Sequence, residues 1–160
     1  MSVTYIKKDI TEVTEGIVVH GCNCQGAMGS GVAHAIRQKW PIVYRRYKDF
    51  IASSHWGEHG IELLGTAQIV EISANNPTLL VINLFTQQFY GRDGAKYANP
   101  DAIYLAVDTA MQIAEWERLL LYMPRIGCGL GGLDWDTEVY PIVQQLADKH
   151  KVNTFVCDLH

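Results

Sequence analysis

The sequence lacks the features of membrane-inserted, exported and general nucleic-acid-binding proteins. No apolar run among its 160 residues reaches membrane-spanning length, and the amino terminus has no signal-peptide pattern. The formal net charge of −4 does not favour binding to nucleic acid or to anionic membranes through bulk charge. We therefore expect a cytoplasmic protein with no membrane partner.

The spacing of the four cysteines does not indicate a metal site. Cys22 and Cys24 are separated by one residue, and Cys128 lies far along the chain. Zinc sites use cysteine pairs with at least two intervening residues, so we expect no bound metal. Neither Cys22 nor Cys128 begins a Cys-x5-Arg phosphate cradle, so a cysteine phosphatase is not indicated either.

Residues 20–33 are the most informative stretch of the chain, and they read His-Gly-Cys-Asn-Cys-Gln-Gly-Ala-Met-Gly-Ser-Gly-Val-Ala. An apolar β-type run precedes this glycine loop, and a helical pattern follows it. A strand, a glycine loop and a helix N-terminus can bind phosphate through backbone N–H groups. The loop has neither the lysine of a P-loop nor G-x-G-x-x-G spacing, so neutral backbone donors would hold a bound diphosphate. A turn that serves only chain geometry is the alternative.

A second glycine loop at residues 124–133 follows the apolar run at 119–123, and a helical pattern begins again near Val139. Open α/β sheets bind ligands at the carboxyl ends of neighbouring strands. The two loops are therefore predicted to face each other across one ligand, and the pair is a more specific signal than either loop alone.

The whole pattern predicts an α/β fold, a three-layer α/β/α sandwich with a mixed central sheet of about six strands, in one domain over residues 1–160. Strands are predicted at residues 4–6, 16–20, 65–72, 78–85, 119–123 and 154–157. Helices are predicted to begin near residues 31, 41, 99 and 139. The short connection between the third and fourth strands predicts an antiparallel hairpin.

The two loops carry a resemblance to a known family. The sequence resembles a macrodomain, the α/β/α module that binds ADP-ribose, over nearly its whole length. The matching segments are Asp9-Ile10, Asn-x-x-Gly-x-Met-Gly-x-Gly-Val-Ala from Asn23, and the loop from Gly127. His-x-Cys-Asn-Cys-Gln-Gly from His20 and Met-Pro-Arg-Ile-Gly-Cys-Gly-Leu from Met123 resemble the branch of ADP-ribose 1″-phosphate phosphatases and terminal ADP-ribose hydrolases.

The resemblance implies how ADP-ribose would be bound. Asp9, helped by the Ile10 backbone, would accept a hydrogen bond from the adenine amino group; capping of the turn after the first strand is the alternative. Asn23 would reach a distal-ribose hydroxyl, or else stabilise its own loop. Leu159 would pack on the adenine face. The residues implied around the diphosphate and the distal ribose are Gly29, Ser30, Gly31, Val32, Gly127, Cys128, Gly129, Leu130 and Gly131.

The resemblance also implies a catalytic residue. His20 matches a catalytic histidine of the phosphatase branch, and histidine can position water or protonate a departing sugar oxygen near neutral pH. A buried histidine bonded to a backbone carbonyl is the alternative. Hydrolases that remove ADP-ribose from glutamate use a lysine and an aspartate where this chain has Gln87 and Gly131, and glutamine cannot form a lysine's covalent link. Asp134 is the acidic candidate, with N-capping as its alternative.

These features together favour a phosphatase that converts ADP-ribose 1″-phosphate to ADP-ribose and phosphate without a cofactor. The alternatives are a non-catalytic reader of ADP-ribose and a lysine-independent hydrolase of ADP-ribosylated protein or nucleic acid. Nucleic acid is expected as a partner only in that modified form, and we expect the protein to be a monomer.

Overall fold

A computed structural model describes residues 3–159. These residues contain six strands and four α-helices, with short 3-10 turns at Ile10–Glu12 and Glu58–Leu63 and a π-helical turn at Trp135–Val139. The strands are β1 Val3–Lys7, β2 Gly16–Asn23, β3 Ala67–Ser73, β4 Leu79–Gln87, β5 Leu121–Met123 and β6 Thr154–Asp158. The helices are α1 Gly31–Lys39, α2 Pro41–Ala52, α3 Pro100–Glu117 and α4 Tyr140–His150.

The strands form one mixed sheet in the order β1-β6-β5-β2-β4-β3. Every neighbouring pair is parallel except β3 and β4, which pair antiparallel as the short connection between them predicts. The carboxyl ends of β1, β6, β5, β2 and β4 therefore lie along the same edge of the sheet. The predicted fold class, with its mixed six-stranded sheet, is confirmed.

Helices cover both faces of the sheet, which explains why β2 is apolar on both sides. Ile17 of β2 faces a core formed with α3 and α4, whereas Val18 faces a second core formed with α1 and α2. Both side chains are fully buried. A strand covered on both faces reads as a continuous apolar run, and β2 indeed lies inside the sheet between β5 and β4.

Helices α3 and α4 are joined by polar contacts as well as by their apolar core. The side chain of His150, which is 5% exposed, lies with Nε2 2.6 Å from a carboxylate oxygen of Asp108. Its Nδ1 lies 3.2 Å from a carboxylate oxygen of Glu115.

Within residues 3–159, no helix combines the length and the apolar character that a membrane span requires.

The structure differs from the prediction mainly at the ends of elements. Strand β2 continues three residues beyond the predicted end at His20, through to Asn23, because its last residues pair with β4. The polar segment at residues 53–60, which lies between predicted elements, ends in the turn Glu58–Leu63. Strand β5 begins at Leu121, because the backbone N–H of Leu119 bonds the carbonyl of Ala114 at the end of α3.

Candidate active site

A cavity of about 510 Å³ opens at the carboxyl ends of β2, β4 and β5. Small-molecule sites have volumes of this order, and parallel sheets bind ligands at this edge. Both glycine loops line the cavity, so they face each other as the sequence predicts. The predicted residues that line it are His20, Asn23, Gly29, Ser30, Gly31, Val32, Gly127, Gly129, Leu130 and Gly131.

Five predicted site residues do not line this cavity. They are Asp9, Ile10, Cys128, Asp134 and Leu159. Ile10 is buried in the core beside α1 and α2, whereas Leu159 is exposed after the last strand. The Cys128 thiol donates to the carbonyl of Ile126, 3.3 Å away within its own loop. The adenine contacts predicted for Asp9, Ile10 and Leu159 stay predictions.

The carboxylates of Asp9 and Asp134 both cap turns. Asp9 Oδ1 accepts from the Thr11 hydroxyl at 2.7 Å and from its N–H at 2.9 Å. Asp134 Oδ2 accepts from the Thr137 hydroxyl at 2.7 Å and from its N–H at 3.0 Å. These side-chain hydrogen bonds lower the pKa of both carboxyl groups. The geometry therefore favours the capping alternative for Asp134, which does not line the cavity.

The beginning of α1 is open to the cavity. Ser30 is the N-cap residue, but its side chain makes no capping hydrogen bond. The next residue has a φ of +59°, a left-handed conformation that glycine adopts at little cost, which accounts for Gly31. The first-turn N–H groups therefore have no side-chain acceptor from the cap, and they give this wall a partial positive charge.

Tyr47, a residue of α2, holds the first glycine loop in place. Its hydroxyl donates to the Asn23 carbonyl at 2.6 Å and accepts from the Gly26 N–H at 3.1 Å. The Asn23 amide is also engaged within the loop: its Nδ2 donates to the Ala27 carbonyl at 2.8 Å, and its Oδ1 accepts from the Gln25 N–H at 2.9 Å. This supports the loop-stabilising alternative for Asn23. Sequence reasoning missed Tyr47, because a tyrosine in an apolar helical stripe has the pattern of a core residue.

Close packing shapes the second glycine loop. A Cβ atom on Gly131 would lie 2.7 Å from the Gly127 carbonyl oxygen and 3.0 Å from the Ala98 Cβ. The Gly131 carbonyl accepts hydrogen bonds from the N–H groups of Tyr97 and Ala98. The lysine-dependent hydrolases described above have an aspartate at this position. An aspartate here would require the loop backbone to move.

A chain of side-chain hydrogen bonds fixes the tautomer of His20. The Arg46 backbone carbonyl can only accept, so Gln68 presents its Nε2 to it at 2.9 Å. Gln68 Oε1 then accepts from Asn83 Nδ2 at 3.0 Å, which leaves Asn83 Oδ1 facing His20 Nε2 at 2.6 Å. His20 Nε2 is consequently the protonated nitrogen. In the neutral ring, Nδ1 is the nitrogen whose lone pair can accept a hydrogen bond or a proton.

Burial keeps this ring neutral. His20 is 1% exposed, and desolvation lowers its pKa from 6.5 to about 4, although the hydrogen bond to Asn83 opposes the shift. A cationic ring would be poorly solvated here, because His20 faces the apolar core beside α1 and α2. At neutral pH the side chain can therefore accept a proton or a hydrogen bond at Nδ1.

The low pKa of His20 predicts a pH dependence of stability. The pKa of His20 is about 6.5 in the unfolded chain and about 4 in the folded protein. At a pH between these two values, the unfolded state binds a proton at His20 that the folded state does not bind. Stability therefore falls as the pH is lowered through this window, and it is unaffected by His20 above it. We expect wild type to lose about 3 kcal/mol more than His20→Gln between about pH 7 and pH 4. Urea titrations across this range measure the difference, and parallel curves would contradict a buried neutral ring.

Cys22 lies beside His20 and also lines the cavity. Its Sγ is 3.6 Å from Nε2 and 3.8 Å from Nδ1 of the imidazole. Desolvation raises the pKa of the Cys22 thiol well above its ordinary range, so the sulfur is protonated and weakly nucleophilic. No group of three or more His, Cys, Asp or Glu side chains in the described part of the chain could hold a metal ion.

The end of β4 and the segment that follows it form a third wall of the cavity, which sequence reasoning missed. This wall consists of Thr86, Gln87, Tyr90, Gly91 and Arg92. Gln87 Nε2 donates to the Phe89 carbonyl at 2.7 Å, so the amide that stands in place of a lysine supports its own loop. The order of the strands could have indicated this wall, because the loop after β4 begins at the same edge of the sheet as the two glycine loops.

Arginine supplies formal charge at the cavity, beside the neutral backbone donors that the glycine loops were predicted to provide. Arg92 and Arg125 are among the described lining residues, and no aspartate or glutamate is. Arg125 donates through Nε and Nη2 to the Asp158 carboxylate, each at 3.0 Å, and its guanidinium lies 5.2 Å from the centre of the Tyr5 ring. Arg92 Nη2 instead donates to the Ser30 hydroxyl at 2.5 Å.

The arrangement of two glycine loops around a cavity at this sheet edge agrees with a comparison to known families. The family model described as "Macro domain" matches residues 19–140. The chain belongs to the macro domain family. The matched segment includes both glycine loops, the third wall and His20, so it contains the residues that line the cavity of this macro domain.

Two relatives with different names are similar to this macro domain over most of its length. An ADP-ribose 1″-phosphate phosphatase of Scheffersomyces stipitis is 29% identical over 159 residues, which cover 84% of this chain and 89% of that protein. A DNA ADP-ribosyl glycohydrolase of Mycobacterium tuberculosis is 27% identical over 149 residues, which cover 91% of this chain and 40% of that protein.

Solved structures share the fold of this macro domain. A protein of unknown function from Bacteroides thetaiotaomicron superimposes with a TM-score of 0.84 and 28% identity over 99% of both chains. DarTG of Thermosipho africanus, in complex with ADP-ribose, superimposes with a TM-score of 0.78 and 18% identity, over 97% of this chain and 41% of that one. The second likeness is a likeness of fold alone.

Proposed function

We propose that this macro domain binds ADP-ribose in the cavity at the carboxyl ends of β2, β4 and β5 and hydrolyses ADP-ribose 1″-phosphate there. The observation that carries the proposal is the convergence of both glycine loops on one cavity whose floor holds neutral His20. The S. stipitis phosphatase supports the choice of reaction, because it is similar along most of both chains.

The family resemblance and the sheet order together suggest a direction for the bound ligand in this proposal. In this proposal the adenine lies toward Asp9 and the carboxyl end of β1, as the family resemblance implies. The diphosphate lies between the open N-terminus of α1 and the loop at Gly127 and Gly129. Since β4 is the strand farthest from β1 whose carboxyl end borders the cavity, the distal ribose reaches the third wall.

His20 supplies the proton transfer in the proposed reaction. Its Nδ1 accepts a proton from water as the water oxygen forms a bond to phosphorus. The bond between phosphorus and the oxygen on C1″ breaks, and the imidazolium can return the proton to that leaving oxygen. The bound phosphate favours the charged ring in this step, because an adjacent anion raises the pKa of histidine.

The lysine-dependent reaction has less support from this site. Gln87 occupies the position of the lysine and is bonded to Phe89, and Gly131 has no room for a side chain. A protein that removes ADP-ribose from macromolecules here would need a different nucleophile or base. The binding-only alternative shares the cavity and differs from our proposal in turnover alone.

Phosphate release from ADP-ribose 1″-phosphate tests the proposal directly. We expect the wild-type protein to release phosphate and ADP-ribose in equal amounts, and chromatography with a phosphate assay measures both products. ADP-ribosylated DNA and ADP-ribosylated protein are incubated in parallel. Binding of ADP-ribose without turnover of any substrate would identify a reader, and release of ADP-ribose from either macromolecule alone would identify a hydrolase. Either result would overturn the proposed phosphatase.

A further inference from the structure

Arg92 is a cation of the cavity wall that no carboxylate of the described chain neutralises. Its Nη2 donates to the hydroxyl of Ser30, a neutral group across the cavity mouth. The neighbouring carboxylate of Asp93 is engaged within its own loop, where it accepts from the Ala95 N–H at 3.1 Å and from the Tyr97 hydroxyl at 2.9 Å. The guanidinium is thus available to an anion.

Arg125, the other arginine of the cavity, is not equivalent. Its Nε and Nη2 both donate to the carboxylate of Asp158, so its charge is locally balanced. A bidentate arginine–carboxylate pair of this kind orders the side chain and holds it in place. The cavity of an acidic protein therefore contains one unbalanced guanidinium among its described lining residues, and that group is Arg92.

The position of Arg92 along the sheet edge separates it from the predicted adenine end. Arg92 follows β4, whereas Asp9 follows β1, and β6, β5 and β2 lie between these two strands. Its contact with Ser30 also places it at the beginning of α1, where the N–H groups lack a side-chain cap. A ligand that runs along the edge from β1 would bring its terminal group to Arg92.

We propose that Arg92 determines specificity by binding the phosphomonoester at the terminal end of the ligand, so that the phosphorylated substrate is held more tightly than its dephosphorylated product. This inference rests on the proposed function and on the ligand direction given there. The planar guanidinium can donate two parallel hydrogen bonds to phosphate oxygens, which a point charge cannot do. On binding, Arg92 exchanges its bond to the Ser30 hydroxyl for bonds to the dianion.

The exchange accounts for selectivity between substrate and product. The diphosphate is common to both ligands, so contacts with the α1 N-terminus and the second glycine loop contribute to each. Only the substrate carries the terminal phosphate, and after hydrolysis Arg92 can return to Ser30. Arg92 therefore promotes substrate capture and product release without taking part in proton transfer.

Arg92→Gln and Arg92→Lys test this inference. We expect Arg92→Gln to lower kcat/KM for ADP-ribose 1″-phosphate by about tenfold or more, since it removes a charge-assisted pair of hydrogen bonds. The calorimetric Kd for ADP-ribose should change by less than about threefold, and Arg92→Lys should restore part of the lost kcat/KM. Arg45→Gln, an exposed position on α2 outside the cavity, removes the same charge and is the control.

The outcomes separate this inference from the phosphatase proposal. If wild type does not hydrolyse ADP-ribose 1″-phosphate, the Kd for that compound replaces kcat/KM as the measurement. Tighter binding of the phosphorylated compound by wild type, lost in Arg92→Gln, would then support the role of Arg92 and refute the phosphatase. Equal losses for the phosphorylated and dephosphorylated ligands, or no loss for either, would overturn the role of Arg92.

Discussion

Substituting glutamate for Gly29 or Gly129 is expected to weaken ADP-ribose binding by at least about a hundredfold, which is roughly 2.7 kcal/mol, without unfolding the protein. Each position lines the cavity on a different glycine loop. An added Cβ would meet no heavy atom within 4 Å at either position, and neither backbone has a positive φ. The new carboxylate would therefore occupy the cavity and repel the diphosphate rather than disturb the loop.

The matched controls for these variants are Gly29→Ala and Gly129→Ala, which add the Cβ without the charge. We expect both alanine variants to bind ADP-ribose within about threefold of wild type, because the space for a methyl group is present. Gly31 is a poorer position for this experiment, since its φ of +59° would strain any side chain. Calorimetric titration measures affinity, and thermal unfolding verifies the fold. Retained affinity in the glutamate variants would show that the diphosphate lies elsewhere.

His20→Gln is expected to lower kcat for ADP-ribose 1″-phosphate by about a hundredfold or more, the usual contribution of a general base. Glutamine can still donate to Asn83 from nearly the same position, so the hydrogen-bonded chain to Gln68 can persist. What is lost is the lone pair at Nδ1. Initial-rate measurements give kcat, and we expect the Kd for ADP-ribose to change by less than about threefold.

His34→Gln provides the control for the loss of a histidine. His34 is exposed on α1 and does not line the cavity, so its replacement should leave kcat unchanged. A His20→Gln variant that turns over as fast as wild type would remove His20 from the reaction while leaving the cavity as a binding site. A parallel loss of kcat and of ADP-ribose affinity would instead indicate that His20 maintains the shape of the site.

Much of the fold could be predicted because its signals are local. The apolar runs of β2 and β5 mark strands covered on both faces, and the short connection between β3 and β4 leaves room only for a hairpin. Glycines directly after two such strands predicted that residues 23–31 and 127–131 would meet at one edge. Parallel strands place their carboxyl ends together, so the cavity followed from the order of strand and loop.

Local patterns could not choose between two roles for the same carboxylate. Asp9 and Asp134 each precede a turn, where capping and ligand binding both favour an acidic residue. In the structure each accepts two hydrogen bonds from one nearby threonine, Thr11 or Thr137. The partners of such a capping carboxylate are close to it in sequence. Whether the carboxylate also faces the cavity depends on the path of the loop.

The sequence by itself determined the α/β architecture and the two glycine loops, because periodicity, turn residues and motif spacing act over a few neighbouring positions. The candidacy of His20 came from the family resemblance of its motif. The tertiary structure decided which polar groups surround them. Asn83 lies 63 residues from the histidine it orients, and Arg92 lies 62 residues from the serine it contacts. Such pairs meet only after β4 adds to β2 in the sheet, so no local pattern encodes the neutral state of His20 or the unbalanced charge of Arg92.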